Sequence, residues 1–260
     1  MEKIISALGK KIYCRFLNEE LLEKEIPLLI FLHEGLGTSA QWKDFPKHLT
    51  EMIPLPVLMY DRYGYGKSER FEGERQPTYM EFEAEEFLPE ILKKLNLDQK
   101  KIILFGHSDG GSIAMFFASF FPEKVIAAVI EAPHFFLDEI SYSGINNAVH
   151  LYENSSLRKK LEKYHGINTD PMFRSWTNIL LSLEMQNWNT LPLLRNVKCP
   201  VLAIQGTDDE FGTLKQIETL KEYTSGSVEL LIIEGCGHIP HHQARKQVSD
   251  TTVDFLSRYF

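Results

Sequence analysis

Short apolar runs, nearly unbroken by polar positions, recur along the chain and alternate with longer stretches whose apolar residues fall at helical spacing. The runs predict strands at Leu28–His33, Val57–Asp61, Lys101–Gly106, Val125–Glu131, Val201–Gly206 and Val228–Glu234. A strand covered on both faces loses the in–out alternation of a half-exposed one, so these runs point to a mostly parallel central sheet. Met1 to Leu17 has room for one or two less buried strands at an antiparallel edge.

Between the runs, Thr78-Tyr79-Met80-Glu81 has the Thr-x-x-Glu form of a capping box and follows Pro77. Behind it Ala84, Phe87, Leu88, Ile91, Leu92 and Leu95 form one apolar stripe, in which Pro89 must kink or restart the helix. Val248, Thr252, Phe255, Leu256 and Tyr259 share a face of a C-terminal helix. The alternation breaks once. From about His134 to Leu194 no strand is legible, only amphipathic pieces with Trp176 and Trp188, too long a stretch for a loop. It reads as a helical cap inserted at 134–194, between core segments 1–133 and 195–260.

The chain has 260 residues, of which 43% are hydrophobic, enough for one α/β domain carrying an insertion. Its formal net charge of -8 gives no reason to expect nucleic acid or an anionic membrane as partner, and favours a small-molecule substrate. Cys14, Cys199 and Cys236 are too few and too scattered for a disulfide framework. Met1 to Lys11 lacks an apolar run of signal-peptide length and no segment has the length of a membrane span, so a cytoplasmic location is expected. Oligomeric state is not legible.

The chemistry centres on Gly106-His107-Ser108-Asp109-Gly110-Gly111, between a predicted strand and a helix rich in Ile113, Ala114, Phe116 and Phe117. Gly-x-Ser-x-Gly arises by chance in roughly one chain in ten of this length, so its position carries the weight. Between strand and helix it is a nucleophile elbow: a strained turn that exposes the Ser hydroxyl at a helix N-terminus. A serine needs an adjacent base, and the base an orienting acid. Two later strands end suitably, one in Asp208-Asp209 and the other in Gly237-His238. Catalytic groups of such sheets stand at the carboxyl ends of the strands. His241 and His242 complete a His-x-x-His-His with His238; no metal is called for, and both are expected in a solvated loop.

These segments, with His33-Glu34-Gly35-Leu36-Gly37 and Asp61-Arg62-Tyr63-Gly64-Tyr65-Gly66-Lys67-Ser68, resemble the α/β-hydrolase superfamily over nearly the whole chain apart from the cap. The resemblance implies a three-layer α/β/α sandwich around a mostly parallel sheet. It implies Ser108 as nucleophile, His238 as base and Asp209, rather than Asp208, as acid. It further implies an oxyanion hole from the N–H groups of Asp109 and Gly35, with Leu36 as alternative donor because Glu34 stands where glycine is commoner. No cofactor is implied. His33, Asp61 and Arg62 are expected to brace the loops and His107 to pack under the elbow. Glu34, Leu36 and His134 are candidate substrate-pocket residues. So are Trp176 and Trp188, with Trp42, Phe135 and Phe136, although packing in the cap or against the sheet suits each of these aromatics equally. Ester hydrolysis is the leading expectation. Carbon–carbon bond hydrolysis, proline-type aminopeptidase activity and a receptor role are the alternatives; the Ser at the elbow disfavours haloalkane dehalogenation.

Overall fold

A computed structural model describes all residues, 1–260, and contains a single eight-stranded sheet. The strands are β1 (Glu2–Ala7), β2 (Lys10–Leu17), β3 (Leu28–Leu32), β4 (Val57–Tyr60), β5 (Ile102–His107), β6 (Val125–Glu131), β7 (Val201–Gly206) and β8 (Val228–Ile233). Their order is β1-β2-β4-β3-β5-β6-β7-β8, and only β2 runs against the rest. All six predicted strands form within a residue of the expected bounds, and the N-terminal segment supplies both edge strands. Ile4 on β1 is 66% exposed, whereas every residue of β3, β4, β5 and β7 is buried.

The helices are α1 (Phe45–Met52), α2 (Tyr79–Phe82), α3 (Leu88–Lys94), α4 (Asp109–Phe120), α5 (Glu139–Asn154), α6 (Leu157–His165) and α7 (Thr169–Leu180), then α8 (Lys215–Glu218), α9 (Leu220–Tyr223), α10 (Pro240–Gln243) and α11 (Arg245–Leu256). The period-two geometry of the strands sorts the core into two layers. Leu28, Ile30 and Leu32 of β3, with Ile102 and Leu104 of β5, pack against α2, α3, α4 and α9. Leu29, Phe31, Ile103 and Phe105 point the other way, onto Phe45 and Leu49 of α1 and Val248, Phe255 and Leu256 of α11. The result is the expected α/β/α sandwich. No helix is long and apolar enough to cross a membrane.

Two local expectations are corrected. Thr78 precedes α2 without a side-chain capping bond, and Glu81 does not reach back to it; buried Glu81 Oε2 has no hydrogen-bond partner. The reciprocal capping box forms instead at α5, where Asp138 accepts from Ser141 N at 2.9 Å and Ser141 Oγ accepts from Asp138 N. Pro89 is accommodated by a restart: a π turn at Glu83–Phe87 separates α2 from α3, and Pro89 sits in the first turn of α3, where its missing N–H costs nothing.

The chain between β6 and β7 forms α5, α6 and α7, with two small apolar clusters of its own. One joins Tyr152, Leu161, Met172 and Phe173 to Tyr65, and the other gathers Ile145, Trp176, Ile179 and Leu180. Leu36 and Phe211 pack against both clusters, so this segment lies over the loops that follow β3 and β7.

Phe105 is fully buried and meets Phe31, Phe45 and Trp42 at ring-centroid distances of 4.9, 5.5 and 5.6 Å. Phe105→Ala is expected to cost about 3–5 kcal/mol in urea denaturation, and a loss under about 1 kcal/mol would contradict this core assignment.

Candidate active site

The chain leaves β3 for β4 on one side of the sheet and reaches β5 on the other, so the carboxyl ends of β3 and β5 diverge around a crevice. The loop after β3 carries His33 to Gly37, and β5 delivers His107 and Ser108. Ser108 adopts φ 54° and ψ −121°, a left-handed conformation costing on the order of 1–3 kcal/mol for a residue with a side chain. Its N–H donates to the Glu131 carbonyl at 2.8 Å, and its own carbonyl accepts from Gly111 N at 2.8 Å. Space explains the flanking glycines. A Cβ on Gly110 would collide with the Leu32 carbonyl, and one on Gly106 with the Gly110 carbonyl.

Asp209 lies just past β7 and His238 past β8. His238 Nδ1 and Asp209 Oδ1 are 2.8 Å apart, while Phe211 N donates to Oδ1 at 2.9 Å and Gln205 Nε2 to Oδ2 at 3.1 Å. Asp208 is exposed and accepts from Thr207 Oγ1, so of the adjacent acids only Asp209 meets the histidine. Burial disfavours protonated His238, but the Asp209 carboxylate outweighs it, with smaller help from Glu34 and Glu210, and holds the imidazole above its ordinary value. The hydrogen bonds of His238 do not include one from Ser108 Oγ. In ligand-free sites this link is often long and tightens on substrate binding.

His33 donates from Nδ1 to the Glu34 carbonyl at 2.8 Å and accepts at Nε2 from Arg62 N at 3.1 Å. Burial, with Arg62 nearby, keeps the ring neutral. Arg62 also donates to the Glu34 carbonyl at 2.7 Å, and Asp61 accepts from Ser39 N and Lys67 N, so these residues brace the loops as expected. His107 Nε2 donates to the His238 carbonyl at 2.7 Å, beneath the elbow. The N–H groups of Gly35 and Leu36 both lack a protein acceptor, which leaves either free to face a ligand.

Asp109 is fully buried beside Ser108 and is the hub of a polar cluster. Arg62 Nη1 lies 3.2 Å from its carboxylate, Tyr79 donates at 2.9 Å and Trp176 Nε1 at 3.4 Å, with His134 Nε2 at 3.5 Å. Burial opposes the charge, yet Arg62, His134 and Tyr79 together hold the carboxyl below its usual range. The Trp176 indole lies so close over Gly35 that a Cβ there would strike it. Trp188 is half-buried, its ring centroid 5.8 Å from that of His134, while Trp42 and Phe135 are core residues. Phe136 is half-buried and packs against the same core layer as Phe135.

One expectation is corrected here. His241 is not solvated: it is 3% exposed and meets Glu131 Oε2 at 2.5 Å, under the Trp42 ring. Glu131, Tyr79, Gln205 and Glu210 were not anticipated. The signal for Glu131 is an acid closing an otherwise apolar strand; the other three are placed by tertiary contacts alone.

Comparison with known proteins agrees with this architecture. The model of the alpha/beta hydrolase family matches residues 29–251, and the chain belongs to that family. It is similar to monoglyceride lipase of Mus musculus, at 24% identity over 92% of this chain and 84% of the relative. It is also similar to 2-hydroxy-6-oxo-6-phenylhexa-2,4-dienoate hydrolase of Comamonas testosteroni, at 22% identity over 88% and 87%. The solved thermophilic esterase of Thermogutta terrifontis shares the fold with a TM-score of 0.72 at 18% identity, covering 100% of this chain and 99% of the esterase.

Removing the Asp109 carboxylate strands the buried Arg62 charge. Asp109→Ala is expected to lose about 3–5 kcal/mol in chemical denaturation, and Arg62→Met combined with Asp109→Leu to lose less than that single change. Additive losses would mean the two groups are not coupled.

Proposed function

We propose that the protein is a serine hydrolase that cleaves carboxylic esters of small molecules through an acyl-enzyme intermediate. The observation that carries this reading is the His238–Asp209 pair, 2.8 Å apart, beside a serine held in the strained elbow conformation. Asp209 fixes the tautomer with Nδ1 protonated, leaving the Nε2 lone pair to take the Ser108 proton. Ser108 Oγ attacks the ester carbonyl, and the N–H groups of Asp109 and Gly35 (with Leu36 the alternative to Gly35) hold the oxyanion, each donor being worth about 3–4 kcal/mol in comparable sites. The tetrahedral intermediate collapses and expels the alcohol, which takes its proton from His238. Water activated by the same ring then releases the acid. These steps use protein groups and water alone.

The helices from 134 to 194 act as the cap in this reading. Trp176, Trp188, Leu36, His134 and Glu34 bound the substrate space, and the Trp176 indole marks where an acyl group would replace it over Gly35. The likeness to a monoglyceride lipase supports ester cleavage. The Comamonas relative keeps carbon–carbon hydrolysis as a second reading. That chemistry wants a free cation for a substrate carboxylate, and Arg62 is already committed to Asp109 and the Glu34 carbonyl.

Wild type is expected to turn over p-nitrophenyl esters from acetyl to longer acyl, with the best chain length sizing the pocket, and Ser108→Ala to lose this activity while keeping its fold. Equal rates in the two proteins would refute the assignment. Asp209→Asn is expected to lower kcat by about 10³–10⁴, as in other triads, and exposed Asp208→Asn by no more than a few-fold. The reverse order in steady-state kinetics would overturn the role given to Asp209.

A further inference from the structure

Three side chains around the crevice carry lone pairs that no protein donor uses. His107 spends Nε2 on the His238 carbonyl, which leaves Nδ1 unprotonated, and His238 spends Nδ1 on Asp209, which leaves Nε2 free. Glu34 uses its backbone carbonyl to tie the loop, but its carboxylate accepts no hydrogen bond. One carboxylate oxygen of Glu34 and one ring nitrogen from each histidine all lie within 4.8 Å of one another.

We infer that Glu34, His107 and His238 form a site for a divalent transition-metal ion of the Zn²⁺ type, and that the bound ion switches the enzyme off. Two imidazole nitrogens and one carboxylate oxygen, with a fourth position for water, suit tetrahedral Zn²⁺. At bond lengths of about 2.0–2.2 Å its ligands stand roughly 3.3 Å apart, so atoms at the 4.8 Å limit must draw in by about 1.5 Å. Glu34, half-buried on two methylenes with a carboxylate that accepts no hydrogen bond, is the ligand most free to move. The surroundings match as well. A metal-bound histidine usually gives its other N–H to a carboxylate or a carbonyl, and here His238 gives it to Asp209 and His107 to a backbone carbonyl. A cavity of about 180 Å³, lined by Glu34, His107, Thr38, Gln41, Tyr164 and His241 but by neither His238 nor Ser108, gives access to two of the three ligands. Lys43 is the one Lys or Arg on its wall, in a chain of net charge -8.

The site differs from the His-x-x-His-His pattern, since His241 is committed to Glu131. The switch, though not the binding, rests on His238 being the catalytic base: an ion on Nε2 takes the lone pair that would accept the Ser108 proton. Mg²⁺ and Ca²⁺ prefer all-oxygen shells and leave the base free.

The test titrates ZnCl₂ by calorimetry into chelator-dialysed wild type, Ser108→Ala, Glu34→Gln and His107→Asn, with circular dichroism on each and ester hydrolysis followed in wild type. One Zn²⁺ per chain is expected in wild type and Ser108→Ala, with affinity falling at least about tenfold in Glu34→Gln. Hydrolysis should fall over the same Zn²⁺ range, recover with EDTA and ignore Mg²⁺. No binding, or equal affinity in wild type, Glu34→Gln and a folded His107→Asn, would overturn the site. Full hydrolysis at saturating Zn²⁺ would overturn the switch alone. Glu34-dependent binding by a wild type that hydrolyses no ester would uphold the site and sink the esterase reading instead.

Discussion

The backbone of Ser108 sits at φ 54°, ψ −121°, where a serine does not rest unaided, and the packing of α4 against β3, β5 and β6 holds it there. α4 approaches so closely that the Leu32 carbonyl occupies the space a side chain at Gly110 would need. The Ser108 N–H is tied to Glu131 across the neighbouring strand, so relaxing the turn would break a buried hydrogen bond and reopen packed core. Strain on the order of a few kcal/mol is tolerable because two dense layers on either face of the sheet oppose any shift of α4. The same constraint sets the positions of His107 and Asp109, one turned beneath the elbow and the other into the seam.

Electrostatics then join what packing has placed. Asp109 and Arg62 are both almost fully buried, and a lone charge in either position would be costly. Arg62 reaches the carbonyl of Glu34 and the carboxylate of Asp109, so the loops after β3 and β4 and the start of α4 share one ion pair. Tyr79 from α2 and Trp176 from α7 complete the shell of Asp109. Asp109, singled out in the sequence only for its backbone N–H, is therefore also what couples the sheet to the helices above it.

Much of this was legible in the chain because it is local. Unbroken apolar runs mark strands buried on both faces, and glycines around a serine between strand and helix mark an elbow. Polar residues after the later strands mark the ends from which Asp209 and His238 approach. What failed was decided at a distance. Thr78 has the right spacing for a capping box, but the N-terminus of α2 is governed by the loop before it and by packing on α4. His241 looks like a surface residue until Glu131, 110 positions earlier, is brought under it by the sheet order. The choice between Asp208 and Asp209 turns on one residue of register after β7, which composition cannot fix.

The substrate was least legible, and the packing gives the reason. The two layers around the sheet bury 36 and 20 residues in continuous clusters, so their pattern is imposed by the fold and repeats in the sequence. The helices between β6 and β7 bury clusters of six and five, and meet the body mainly through single aromatic and polar contacts such as Trp176 on Gly35 and Asp109. Few apolar contacts mean lower local stability and weaker constraint on which residues are allowed. A segment free to vary leaves no periodic signature. On the proposed reading that segment is also the cap over the site, so the part of the chain that would select the substrate is the part whose sequence says least about it.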